Sequence, residues 1–153
     1  MEEFLKVIVF QLKEQQYGVD IQHVRSIERL NEVTKVPGTS EFIKGVINLR
    51  GDITPIVDLK ERLQIGSTSI TGETRVLIVD VNNVQVGLIV DSATDVIDID
   101  PNVIEDAPKI IGGVNEAFIS GVAKLESKLL ILLDFECILN LEELNEIQEV
   151  IEG

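Results

Sequence analysis

Residues 42–59 read FIKGVINLRGDITPIVDL, and residues 118–135 read FISGVAKLESKLLILLDF. At a constant offset of 76 they agree at Phe42/Phe118, Ile43/Ile119, Gly45/Gly121, Val46/Val122, Leu49/Leu125 and Asp58/Asp134, and most other positions exchange one aliphatic for another. The likeness extends upstream: aligning Gly18 with Gly87 sets VFQL at 9–12 against IVDV at 78–81, and Val19-Asp20-Ile21 against Leu88-Ile89-Val90. Self-similarity on this scale marks two copies of one small unit. Residues common to both copies are assigned to the fold, with Phe42 and Phe118 as aromatic core anchors and Gly45 and Gly121 as glycines closing a short helical turn before a strand. The chief difference between the copies is Arg50-Gly51 against Glu126-Ser127.

Short runs of Val, Ile and Leu bounded by Gly, Asn, Asp and Pro are the signature of many short strands. They predict strands at Leu5–Leu12, Tyr17–Ile21, Val24–Arg29, Val46–Leu49, Ile53–Leu59, Arg75–Val81, Val84–Val90, Thr94–Ile99, Gly121–Leu125 and Lys128–Leu133. Asn82-Asn83 between two such runs reads as a tight hairpin turn, since Asn tolerates positive φ. Pro55 lacks the ladder N–H, which predicts an edge or bulged strand there. Asp58-Leu-Lys-Glu61 is a capping-box pattern and predicts a helix over 59–63, with Asp134 in the equivalent place before 135–139. Apolar residues at Leu141, Leu144, Ile147, Val150 and Ile151 predict an amphipathic C-terminal helix over about 141–151.

The polar stretch from Gly66 to Gly72 is expected to link two halves. These considerations predict an all-β fold of two small five-stranded barrels, since closing a sheet removes its exposed edges. The expected subdomains are 13–66 and 73–139, with the strand at 4–12 assignable to either barrel.

With 27 acidic and 13 basic side chains the net charge is −14, a potential that repels phosphate backbones and argues against a nucleic-acid partner. The stretch 136–153 holds six Glu and no Lys or Arg, and 91–106 holds six carboxylates and no base; both read as solvated faces. A lone cysteine, Cys137, and a start without a signal-peptide pattern favour the cytoplasm. No aliphatic run approaches the roughly 20 residues of a membrane span.

The residues predict no catalytic site and no metal or cofactor. One His and one Cys supply neither a zinc cluster nor a choice of triads. His23 falls in a turn between strands, and Cys137 on the apolar side of the second capped helix, as a core residue. Asp98, Asp100 and Asn102 imitate the start of a calcium loop, but Val103 and Lys109 stand where that loop needs Gly and Glu. Arg50 beside Gly51, a cation in a turn on an acidic molecule, suits a protein contact.

Several segments together carry a family resemblance: VFQL followed by YGVDI, FIKGVINLRGDITPIVDL at 42–59, and VGLIVD with Asp95-Val96 after it. The chain resembles the CheW family of bacterial chemotaxis coupling proteins over almost its whole length. The resemblance implies two packed Src-homology-3-like barrels and a non-enzymatic adaptor. Its implied partners are the regulatory domain of the histidine kinase CheA and the cytoplasmic tips of methyl-accepting chemoreceptors, which place it at the membrane only indirectly. A related two-component array, with a pilus or other output, is the alternative within the same resemblance; a small acidic hydrolase is the alternative outside it. Carried over by position, the receptor contact includes Asn48, Arg50, Gly51 and Val96, and the kinase contact Val24 and Ile27. One departure concerns the V-x-E-I register of many members, where this chain has Ser26, with Glu28 two places later.

Overall fold

The computed structural model describes residues 4–30, 33–35, 42–81, 83–106, 110–111 and 114–138. In chain order it contains β1 (Leu5–Leu12), β2 (Gln15–Asp20), β3 (Val24–Arg29), β4 (Ile43–Leu49), β5 (Asp52–Asp58), α1 (Leu59–Arg62), β6 (Arg75–Val81), β7 (Val84–Val90), β8 (Ser92–Ile99), β9 (Ile104–Glu105), β10 (Ile110–Ile111), β11 (Val114–Asn115), β12 (Ile119–Lys124), β13 (Leu129–Leu133) and α2 (Phe135–Ile138). The expected C-terminal helix over 141–151 lies outside the described residues.

Side chains alternate along a strand, so an unbroken apolar run marks a strand covered on both faces. In β1, Val7 and Val9 enter one core while Ile8, Phe10 and Leu12 enter another. In β6, Val76 and Ile78 face one way and Leu77, Val79 and Val81 the other. Three cores result. One lies within a six-stranded sheet ordered β8-β1-β2-β13-β12-β9, one within a five-stranded sheet ordered β3-β6-β7-β5-β4, and the largest between the two sheets. The aromatic rings of Phe10, Tyr17 and Phe135 meet in this shared core at centroid separations of 6.1 and 6.3 Å.

The sheets do not follow the expected division at 66–73. β1 and β2, from the first copy, sit in the sheet built by β8, β9, β12 and β13; β6 and β7, from the second, sit in the sheet built by β3, β4 and β5. Each copy thus lends its first hairpin to the other's sheet. The exchange is symmetric in detail: Leu132 pairs with Gly18 in the parallel β13–β2 ladder, and Ile56 pairs with Gly87 in the parallel β5–β7 ladder. A strand pairing of this kind depends on distant partners, so composition along the chain could not reveal it. The strand at 4–12 falls in the six-stranded sheet.

Three local expectations also change. Gly45 and Gly121 lie inside β4 and β12 rather than at the end of a helical turn. A chain segment crosses each: a Cβ on Gly45 would collide with the Thr34 carbonyl, and one on Gly121 would lie 2.7 Å from Ile104 Cγ2. The crossing segments pair with equivalent residues, Thr34 with Val46 and Glu105 with Val122. Pro55 is in a strand flanked on both sides, but the parallel ladder to β7 begins at Ile56, so on that side its missing N–H removes no bond. Cys137 is exposed, because α2 buries Phe135 and Ile138 one turn apart and Cys137 lies off that stripe.

Asp58 caps α1 as expected, accepting from Lys60 N at 3.1 Å, and Asp134 caps α2, accepting from Glu136 N at 3.0 Å. Asp58 does more. It is 2% exposed and also accepts from Thr68 N at 2.8 Å and Thr68 Oγ1 at 3.0 Å, which fastens the linker to the helix start. Glu61 turns from the cap to an ion pair with Lys44.

Candidate functional site

The β4–β5 hairpin closes with Leu49 opposite Asp52, leaving Arg50-Gly51 as its two-residue turn. Arg50 has φ 52° and Gly51 φ 90°, both in the left-handed region, as in the hairpin turns whose twist matches that of the strands. Asn48 Oδ1 accepts from Gly51 N at 2.9 Å and braces the turn. The side chain of Arg50 is 73% exposed and its Nη2 lies 3.3 Å from Glu28 Oε2. The equivalent turn at Glu126-Ser127 also joins two directly paired residues, with Leu125 N 2.9 Å from Lys128 O, but neither of its central residues has positive φ. The Arg-Gly therefore sets the turn's hand as well as presenting a cation.

β3 and β4 are opposite edges of the five-stranded sheet, yet they meet. Arg25 and Ser26 share one hollow with Leu49, Arg50, Asp52, Ile78 and Gln85, so the sheet curls until its edges face each other. Arg25 holds Asp80 at 3.2 Å and Gln85 at 2.8 Å, and Gln85 in turn donates to Thr54 Oγ1 at 2.9 Å. Arg29 is paired across to Arg75 on β6. Four of the chain's five arginines thus lie on or beside β3 and the hairpin, interleaved with Glu28, Asp52 and Asp80.

Of the kinase-contact residues expected from sequence, Val24 is half-buried against the shared core and Ile27 is 41% exposed. Of the receptor-contact residues, Asn48, Arg50 and Gly51 are together on the hairpin. Val96 is apart from them, on β8 at the edge of the six-stranded sheet, and is 49% exposed. The expected receptor set therefore spans both sheets, and its hairpin part lies beside the expected kinase strand. Sequence reasoning missed Glu28 as the partner of Arg50, since it is 22 residues distant and on the far edge of the same sheet. It also missed Ile53, 51% exposed and opposite Asn48, which strand alternation from the Leu49/Asp52 pair could have signalled.

The residues weighed for chemistry have structural occupations. Asp100 caps a short 3-10 turn by accepting from Asn102 N at 2.9 Å, and among the described residues no group of three or more His, Cys, Asp or Glu could hold a metal. Loss of solvation, a 3.4 Å contact with Asp134 Oδ2 and the charges of Asp134 and Glu136 all push the Cys137 thiol pKa up, away from the reactive thiolate. Among the described residues no helix is long and apolar enough to cross a membrane.

A family model described as a CheW-like domain matches residues 6–143. The chain belongs to the CheW-like family. It is 39% identical over 137 residues to the chemotaxis protein CheW of Bacillus subtilis, covering 90% of this chain and 88% of that one. It is 35% identical over 143 residues to CheW of Klebsiella aerogenes, covering 94% and 84%. Among solved structures it is similar to the scaffolding protein TtCheW of Thermoanaerobacter tengcongensis, with a TM-score of 0.83, 38% identity, and coverage of 94% of this chain and 91% of that one. The two curled sheets are accordingly the paired Src-homology-3-like barrels of CheW, and the role is that of a chemotaxis adaptor.

Proposed function

We propose that this CheW-like chain joins the cytoplasmic tips of chemoreceptors to the regulatory domain of the histidine kinase CheA, in the cytoplasm at the inner face of the membrane, without chemistry of its own. One observation carries the reading. The two copies present exposed aliphatic residues at the same register on separate edge strands, Ile27 opposite Leu77 and Val96 opposite Ile8, while only one copy adds the outward Arg50 turn. An adaptor needs two faces that are not interchangeable, and a duplicated unit with one modified copy supplies them.

In this reading Arg50, braced by Asn48 and Gly51, and Val96 on the other sheet meet the receptor, while Val24 and Ile27 meet the kinase. Glu28, next to Ile27 in β3 and paired with Arg50, is the acid that touches both sets, in place of one at Ser26. Each contact is moderate, and the assembly gains strength from effective concentration when both are made. Occupation of Asp58 and Asp134 as helix caps supports a non-enzymatic role.

The test is reconstitution. With receptor-containing membranes and CheA, adding the chain raises kinase autophosphorylation and the chain co-sediments with the membranes. Arg50→Glu weakens co-sedimentation about tenfold with an unchanged circular dichroism spectrum. Undiminished attachment of that variant removes Arg50 from the receptor site, and a kinase indifferent to the chain ends the reading.

A further inference from the structure

Arg62, the last residue of α1, lies between two aromatic rings. Its guanidinium carbon is 5.1 Å from the centre of Phe42 and 5.3 Å from the centre of Phe118. Those residues are equivalent in the two copies, each directly before the strand (β4 or β12) that begins the F-I-x-G-V segment. Each also gives its carbonyl to the N–H of a capping aspartate, Phe42 to Asp58 at 2.8 Å and Phe118 to Asp134 at 2.9 Å. Arg62 Nε donates to the carbonyl of Ile138 in α2, and 138 is the position equivalent to 62 at the same offset of 76. One side chain therefore touches a pair of equivalent residues and the backbone of its own counterpart. Such a place lies on the local two-fold relation between the copies. The counterpart of Arg62, Ile138, is apolar and fully buried.

We propose that Arg62 is a positioning residue: it sets the orientation of one barrel against the other and thereby the span between Arg50 on the five-stranded sheet and Val96 on the six-stranded sheet. The shared core holds the barrels together, but apolar burial is non-directional and permits repacking. A planar guanidinium held over two rings and fixed by an N–H to a carbonyl is directional. It supplies the angle, where the core supplies adhesion. The link to binding rests on the receptor reading above, in which that contact uses both sheets while the kinase contact uses one.

The experiment compares the full-length chain with Arg62→Met, which keeps the stem and removes the cation, and with Arg62→Lys, which keeps a cation without the planar fork. Residual dipolar couplings of backbone amides are fitted separately for β3 to β7 and for the six-stranded sheet. The parent chain gives one common alignment tensor; Arg62→Met gives two that differ, with Arg62→Lys between them. A single shared tensor in Arg62→Met overturns the proposal. If Arg62→Met does not fold, the tensors of Arg62→Lys decide in the same way. Affinities then separate the two claims: Arg62→Met is expected to bind a receptor-tip fragment at least five-fold more weakly and the kinase regulatory domain within two-fold of the parent. Divergent tensors with unchanged receptor binding keep Arg62 as the strut and overturn the two-sheet receptor contact.

Discussion

β3 and β8 occupy the same place in the two copies, and they have diverged in charge while keeping their geometry. Each is the edge strand of its sheet, each carries a register shift near its start, and each exposes one aliphatic at the matching position, Ile27 or Val96. At the offset of 69, however, Arg29 corresponds to Asp98 and Arg25 to Thr94. Strand pairing and the cores beneath constrain the inward residues of both copies alike, whereas the outward ones answer only to what approaches from solvent. A duplicated fold can thus offer one shape with two electrostatic characters.

The sharpest way to break this equivalence is at the paired glycines of the parallel ladders. A Cβ on Gly18 would stand 2.5 Å from Val7 Cγ1, and one on Gly87 would stand 2.6 Å from Ile56 Cδ1. Gly18→Val and Gly87→Val should each cost about 3 kcal/mol by overpacking, measured by urea unfolding. A cost confined to one of them would show that the barrels are not packed alike.

The capping aspartates should separate by a smaller margin. Asp58→Ala, which orphans the Thr68 contacts as well as the cap, should cost about 2–3 kcal/mol, and Asp134→Ala about 1 kcal/mol. Equal costs would mean that the linker clasp at Thr68 contributes nothing. On the outer faces, Ile27→Glu should lower kinase-domain affinity about tenfold and leave receptor binding unchanged, with Val96→Glu doing the reverse; about tenfold corresponds to ~1.4 kcal/mol. Both variants weakening the same partner would collapse the two faces into one.

The smallest effect concerns Cys137, which corresponds to Glu61 at the offset of 76. Because desolvation and the Asp134 carboxylate raise its pKa, thiolate should form only at higher pH than in a free cysteine. Iodoacetamide labelling should be slow at neutral pH although the residue is exposed. Asp134→Asn should shift the labelling profile to lower pH, and a profile that stays in place would remove Asp134 as a cause.

How much of this was legible along the chain depended on the range of the interaction involved. The ends of β1, β3, β6 and β7 fall where the apolar runs meet turn residues, because strand formation there follows from local alternation and punctuation. The caps at Asp58 and Asp134 and the two-residue turn at Arg50-Gly51 are equally local. Cys137 was misread because α2 has a single turn, too short for periodicity to say which side is covered.

The sequence by itself determined that there are two copies of one β unit, which residues belong to that unit, and that Arg50-Gly51 is the departure from it. Tertiary structure alone decided that the copies exchange their first hairpins, that Arg50 meets Glu28 across a curled sheet, and that Arg62 stands between Phe42 and Phe118. The reason is physical: turns, caps and alternation are set by neighbours within a few residues, whereas the parallel ladders, the Arg50–Glu28 pair and the Arg62 ring contacts join residues far apart in the chain, and only closing the barrels brings those together.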